Sequence, residues 1–273
     1  MISQPSNVTK PSRLRVGAVT YLNAKPVIVS LQKTAEAEII LDFPSRLADA
    51  LRSGQLDVAM IPSIEYARHP GYTIVSDACI ACDGPVRSVK LYSHVPFEEI
   101  RTLALDEGSR TSATLARVLL KERFDLKPAI CSLPIGVSID EVSADALVLI
   151  GDRGMLPAGE HFKYVWDLGE EWGAWTGLPF VFAMWIARPG VDLQGLEDAL
   201  ASARDDGLTR LEEIAQSEAA GIGLPEADCL SYLRDHLKFH LGHRQREALS
   251  LFYRLAARQN LAPAGVQLEF YHR

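Results

Sequence analysis

The sequence predicts an α/β protein of two lobes, each a mixed or parallel sheet flanked by helices. Three observations carry that expectation. Strand and helix signals alternate from Leu14 to Tyr66. The same alternation restarts near Thr102. Two apolar runs, Val86–Ser93 and Pro179–Ile186, bracket the second set, where the chain would cross between lobes. The 273 residues suffice for one large or two ordinary domains, each able to bury a core. The expected division is 13–94 plus 184–273 for the first lobe and 95–183 for the second, after a flexible polar tail over 1–12.

The elements follow in order. Leu14–Val19 and Ala37–Asp42 are β-rich runs. Phe43-Pro44-Ser45 opens a helical pattern through Leu47, Ala50 and Leu51, which Gly54 stops. Leu56–Ile61 reads as a buried strand, and Pro62-Ser63 starts a short helix with Ile64, Glu65 and Tyr66. The stretch from Val75 to Gly84 is strand-like. Strands are expected at 102–105, 128–132 and Ala146–Ile150, with a helix over 110–124. Phe180–Ile186 is an apolar run of strand length. Beyond Pro189 the period is helical over 192–220, 225–238 and 243–259, as in Ala248, Phe252, Leu255 and Ala256. No further strand is expected before Val266–Phe270.

Composition narrows the function. Hydrophobic residues make up 48% and charged residues 23%, a soluble globular balance. The formal net charge of −7, with no long basic run, speaks against nucleic acid and against an anionic membrane surface as partners. Met1–Ser12 lacks the apolar core of a signal peptide, so a cytoplasmic location is expected. Of four cysteines, Cys79 and Cys82 form one C-x-x-C. On a strand, positions three apart point to opposite faces, a poor chelate. Buried free thiols are the expected reading, and no metal site is assigned.

The segment Asp106-Glu107-Gly108-Ser109-Arg110-Thr111-Ser112 carries the most chemistry. A strand runs through Gly108 into a helix whose first turn holds small hydroxyl residues and one arginine. The first four N–H groups of a helix lack internal partners and sit at the positive end of the dipole. Arg110 adds a planar donor fork for carboxylate or phosphate. The alternative is a plain N-cap by Ser109.

Other candidates stand at strand ends. Asn23, in Tyr21-Leu22-Asn23, is either a ligand contact or the cap of the next helix. In Gly84-Pro85-Val86-Arg87-Ser88, Ser88 is preferred over Arg87, which as its strand neighbour would face away. Pro62-Ser63 is a second anion corner, whose Glu65 is either a base or a helix-dipole residue. Asp167, Glu170, Glu171 and Trp172 read as a solvated loop. Thr176-Gly177 would present a hydroxyl and bare backbone to the cleft. His236 and His240 have metal-compatible spacing, with His243 near, but helix-face histidines are the expected reading. No Ser-His-Asp order, phosphate loop or dinucleotide fingerprint is present.

Six segments then occur together and in order: Tyr21-Leu22-Asn23 with Lys25-Pro26, Gly84-Pro85-Val86-Arg87-Ser88, Ser109-Arg110-Thr111-Ser112, Leu149-Ile150-Gly151-Asp152, Asp167-Leu168-Gly169, and Thr176 to Ala183. Over about residues 13–260 the chain resembles the chorismate dehydratase family of the futalosine route to menaquinone. The resemblance implies a type II periplasmic-binding-protein-like fold in the cytoplasm and dehydration of chorismate to 3-[(1-carboxyvinyl)oxy]benzoate, without cofactor or metal. It implies Asn23 and Ser88 as catalytic residues. On the residues themselves, Ser109, Arg110, Thr111 and Ser112 are expected to clamp a substrate carboxylate, with Ser63, Thr176 and Gly177 as further binding residues. Either Glu65 or a carboxylate of the substrate takes the ring proton, and the second is preferred because positioning alone is worth several kcal/mol. Two alternatives are carried. A 1,4-dihydroxy-6-naphthoate synthase-like enzyme is disfavoured because Tyr21–Pro26 lacks that family's Ser-Pro-Cys-Pro-Asn-Asp type opening. A non-catalytic cytoplasmic sensor of an aromatic carboxylate is the other.

Overall fold

Two sheets form, and the chain crosses between them twice. The structure is a computed structural model that describes residues 13–31, 36–156 and 162–271. The expected tail over 1–12 lies outside the described residues. The chain begins with β1 (Leu14–Val19), β2 (Ala37–Asp42), β3 (Val58–Pro62) and β4 (Thr73–Cys82). It crosses into β5 (Lys90–Ser93), β6 (Thr102–Asp106), β7 (Ala129–Leu133), β8 (Ala146–Leu149) and β9 (Tyr164–Asp167), then returns as β10 (Phe180–Ala187) and β11 (Leu237–His240). The first sheet has the order β11-β4-β10-β3-β1-β2, the second β7-β6-β8-β5-β9.

The parallel pairs β1–β2, β1–β3, β6–β7 and β6–β8 are those read from alternating strands and helices. The returning β10 runs antiparallel between β3 and β4. Both faces of β3 are buried, as expected of a covered central strand. Helices α1 (Lys25–Ile28), α2 (Pro44–Arg52) and α3 (Ser63–Arg68) belong to the first half. Pro44 presets the start of α2, which buries Leu47, Ala48 and Leu51. Gly17 lets α2 approach β1, since a Cβ there would lie 2.5 Å from Leu56 and 2.8 Å from Leu47. In the second sheet α4 (Thr111–Phe124) buries Leu115, Ala116, Val118, Leu119 and Leu120. It is followed by α5 (Gly151–Met155) and α6 (Leu168–Thr176), and the chain ends in α7 (Leu196–Leu208), α8 (Leu211–Ile222), α9 (Glu226–Ser231) and α10 (His243–Arg258). One apolar cluster runs through both sheets, from Val16 and Met60 to Leu103 and Trp172.

Several expectations are corrected. The crossings precede the strands instead of running through them. Lys90–Ser93 pairs in the second sheet, whereas β10 pairs in the first from Phe180 onward. The solvated loop expected at 167–172 is a strand end and a helix, because burial of Leu168 and Trp172 outweighs two glycines and the adjacent acids Glu170 and Glu171. The helix expected over 225–238 ends in a π-helical turn, Tyr232–His236, and becomes β11. There Leu237 and Phe239 alternate with exposed Lys238 and His240 along the edge of β4. Val266–Phe270 makes one bridge, Ile74 to Phe270, and no strand. No helix among the described residues is long and apolar enough to cross a membrane.

Candidate active site

The carboxyl ends of β1, β3, β6 and β8 converge on one cleft, where α/β folds hold ligands. Its cavity volume is about 50 Å³, below the about 300–1,000 Å³ usual for small-molecule sites. Val19, Ile80, Val86, Val89, Ile150 and Phe182 give it apolar walls. Tyr21 crosses between the sheets. A Cβ at Gly151 would lie 2.8 Å from its ring, and one at Gly108 would lie 3.2 Å from its hydroxyl. Burial, with Asp106 and Asp152 nearby, pushes its phenol above the ordinary value.

One wall is the start of α4. The helix begins at Thr111 with Arg110 at the N-cap and no side-chain cap, so Ser109 is not the plain cap of the alternative reading. Ser109, Thr111 and Ser112 are buried yet line the cleft, beside first-turn N–H groups that have no intrahelical partner. Thr111 Oγ1 accepts from the Ile64 N–H at 3.2 Å and so joins α4 to α3. Arg110 differs from expectation. Its guanidinium donates to Glu65 Oε2 at 2.9 Å and Asp49 Oδ2 at 2.7 Å, tying the second lobe to α2 and α3. Burial opposes its charge, but these two carboxylates hold its pKa above the ordinary value. Glu65, 3% exposed, also takes Arg68 at 2.9 Å and lies 3.3 Å from His69 Nε2. It faces cations and does not line the cleft.

Asn23 and Ser88 stand together on the other side. Asn23 lies in a single turn, Leu22–Ala24, whose first N–H donates to Asp152 Oδ1 at 3.0 Å. It does not cap α1, whose N-cap is Ala24. Its Oδ1 is buried with no hydrogen-bond partner among the described residues. Ser88 follows a three-residue turn closed by its N–H to the Val86 carbonyl at 2.8 Å. The central Arg87 has φ 63°, the rare, strained form of the γ-turn. Asp167 holds that turn by accepting the Val86 N–H at 2.9 Å and the Arg87 N–H at 2.6 Å, and caps α6 through the Gly169 and Glu170 N–H groups. From behind, α5 presses on Ser88. A Cβ at Gly154 would come within 2.3 Å of the Ser88 carbonyl oxygen.

Two buried groups complete this side. The Tyr232 hydroxyl donates to Ser88 Oγ at 2.7 Å from the first residue of the π-helical turn. Burial pushes the phenol above its ordinary value, against its hydrogen bond to Ser88. Asp152 is pushed up to about 6 by burial, which the Leu22 N–H and Lys25 only partly offset.

Against known proteins, the family model described as menaquinone biosynthesis matches residues 14–258. The chain belongs to the menaquinone biosynthesis family. It is 29% identical over 261 residues to a chorismate dehydratase of Thermus thermophilus, covering 87% of this chain and 93% of that one. To a chorismate dehydratase of Campylobacter jejuni it is 31% identical over 175 residues, 61% and 64% of the two chains. Among solved structures it is similar to a protein of Archaeoglobus fulgidus, with a TM-score of 0.76, 18% identity, and coverage of 93% and 100%. It is also similar to the periplasmic aliphatic sulphonate binding protein of Escherichia coli, with a TM-score of 0.61, 17% identity, and 97% of each chain. These likenesses show the two-lobed periplasmic-binding-protein-like fold.

In this member of the menaquinone biosynthesis family, Asn23, Ser88, Ser109, Arg110, Thr111 and Ser112 line one cleft. Ser63, Thr176 and Gly177 do not. Ser63 lies behind Pro62, its hydroxyl donating to the Val181 carbonyl at 2.7 Å. Thr176 donates to the Trp172 carbonyl at 2.8 Å, and Gly177 at φ 70° ends α6, its carbonyl held by Arg244. Both residues serve the helix end. Cys79, Cys82 and Cys229 are buried free thiols, and Cys131 is exposed. His236 ends a π-helical turn and His240 a strand, so their helical spacing is not realised. The residues missed from sequence are Tyr232, Asp152, Tyr21 and Asp167. Asp152 and Asp167 stood inside matched segments, whereas Tyr232 lay in an ordinary helical period.

Proposed function

We propose that this protein dehydrates chorismate to 3-[(1-carboxyvinyl)oxy]benzoate. The observation that carries the reading is a buried cleft with an unpartnered amide oxygen on Asn23, a fixed hydroxyl on Ser88, and a helix N-terminus opposite them. Chorismate is a dicarboxylate with a ring hydroxyl, and each of these features has a counterpart on it. The two curated relatives bear the name of this activity.

In this reading the first-turn N–H groups and hydroxyls of α4 hold one carboxylate, as helix N-termini hold anions. Arg110 assists through its fixed charge, its fork remaining on Glu65 and Asp49. The apolar walls take the ring and exclude water. The C–H bond at the ether-bearing ring carbon breaks and its electron pair forms the new ring double bond. The neighbouring C–OH bond breaks, and proton and hydroxide leave as water. Aromatisation supplies the driving force, so orientation is the main task of the protein. Glu65 does not line the cleft and is bound to Arg68 and Arg110, which supports a substrate carboxylate as the acceptor of the proton. The setting we infer is the cytoplasm, where the four free cysteines stay reduced.

Incubating the purified protein with chorismate and following ultraviolet absorbance tests the reading. The aromatic product is expected. Binding without turnover would make the protein a sensor, and neither binding nor turnover would remove chorismate altogether.

A further inference from the structure

We propose that Tyr232 is a positioning residue that directs the Ser88 hydroxyl toward the substrate hydroxyl that leaves. The inference rests on the dehydratase reading and adds a third residue to it. Tyr232 is 1% exposed and does not line the cleft, so it acts only through its neighbours.

A phenol has one proton to give and an oxygen that accepts. The Tyr232 phenol donates to Ser88 Oγ at 2.7 Å. The Ser88 oxygen therefore already accepts a hydrogen bond, and its own proton has no acceptor among the described residues. Asn23, which lines the same cleft, holds a buried Oδ1 with no partner among the described residues. A donor and an acceptor without protein partners therefore belong to one cleft. A substrate hydroxyl satisfies both, donating to Asn23 Oδ1 and accepting from Ser88. As the C–O bond breaks, charge grows on the departing oxygen and the Ser88 hydrogen bond strengthens, while its proton stays on serine.

The local fold agrees. Tyr232 opens a π-helical turn, an insertion that rotates the following residues relative to α9 and is frequent at functional sites. Ser88 is held independently by the strained turn at Arg87 and by Asp167, so its backbone does not need the tyrosine. The phenol supplies only the direction of the hydroxyl.

The test is a cycle of Y232F, S88A and the double variant, assayed on chorismate with kcat and KM separated. Y232F is expected to lose about 10- to 100-fold in kcat, the scale of a misdirected group. Its KM should stay within about threefold of wild type, because the carboxylate contacts on α4 are untouched. In the double variant the losses should not multiply, since phenylalanine removes nothing that S88A has not removed. Undiminished kcat in Y232F, or losses that multiply, would overturn the proposal while leaving the dehydratase reading intact. No turnover by the wild-type protein would overturn both. Should Y232F fail to fold, 3-fluorotyrosine at position 232 keeps the shape and sharpens the donor. A kcat raised about twofold with unchanged KM supports the proposal, and unchanged kcat overturns it.

Discussion

Asn23 holds a buried amide oxygen that no group of the described residues satisfies. Such an atom costs about 1–3 kcal/mol, and a folded protein keeps one only where something else selects for it. Asn23→Leu has similar bulk and no orphaned acceptor. We expect it to melt no lower than wild type while losing about 100-fold or more in turnover. Thermal unfolding beside the chorismate assay checks both halves. A variant that unfolds earlier and still turns over would make Asn23 a structural residue. S88A is expected to lose turnover on the same scale with its fold retained. Asn23 and Ser88 were legible in the sequence because each follows a strand end and belongs to a recognisable segment. Tyr232 was not, because its partner is 144 residues away and nothing local marks a tyrosine whose phenol is turned inward. Arg110 was legible as an anion binder, but Glu65 and Asp49 become its partners only when the lobes meet.

At the scale of elements, Asp167 shows how one side chain can govern a turn and a helix together. Its carboxylate accepts four backbone N–H groups, at Val86, Arg87, Gly169 and Glu170. Asp167→Ala removes an N-cap and strands two turn amides, so a loss of about 2–4 kcal/mol is expected. The strained Arg87 turn should relax with it, carrying Ser88 off position and lowering kcat about tenfold. Lost stability without lost kcat would separate the helix from the turn and sink this link. Parallel strands and their helices were readable because β1, β3 and β6 are apolar runs that alternate with helical patterns. The segment 167–176 was not, since the adjacent acids Glu170 and Glu171 suggest solvent. Trp172 overrides them, fully buried with its indole N–H on the Pro179 carbonyl at 3.0 Å. β11 was hidden for the opposite reason. Four residues are too few for a period, and only the edge of β4 decides between strand and helix.

At the scale of the whole molecule the two lobes bury carboxyls with opposite consequences for pH. Asp57 sits between Arg15 and Arg188, whose hydrogen bonds overcome its partial burial and hold it at about 2. Its folded value lies below the ordinary 3.8, so its contribution is present above that pH and lost as pH falls through about 2. Asp152 behaves in the reverse sense. It stands on α5 beside the turn of Leu22, next to Gly151 of the cleft, and burial raises it from 3.8 to about 6. The folded protein therefore holds this proton more tightly than the unfolded chain. Stability is greatest below about pH 4 and falls as pH rises through about 6, by about 2–3 kcal/mol in all. Asp152→Asn keeps an oxygen for the Leu22 N–H and removes the titration. It should match wild type at pH 4 and exceed it by about 2–3 kcal/mol at pH 8, measured by denaturant unfolding across that range. Equal slopes in the two proteins would mean that the carboxyl is ionised without penalty and that its surroundings are wetter than their packing indicates. A bound dianion would sharpen the contrast, because added negative charge in the cleft raises Asp152 further. Ligand should therefore stabilise the wild-type protein more at pH 5 than at pH 8, a difference that Asp152→Asn abolishes.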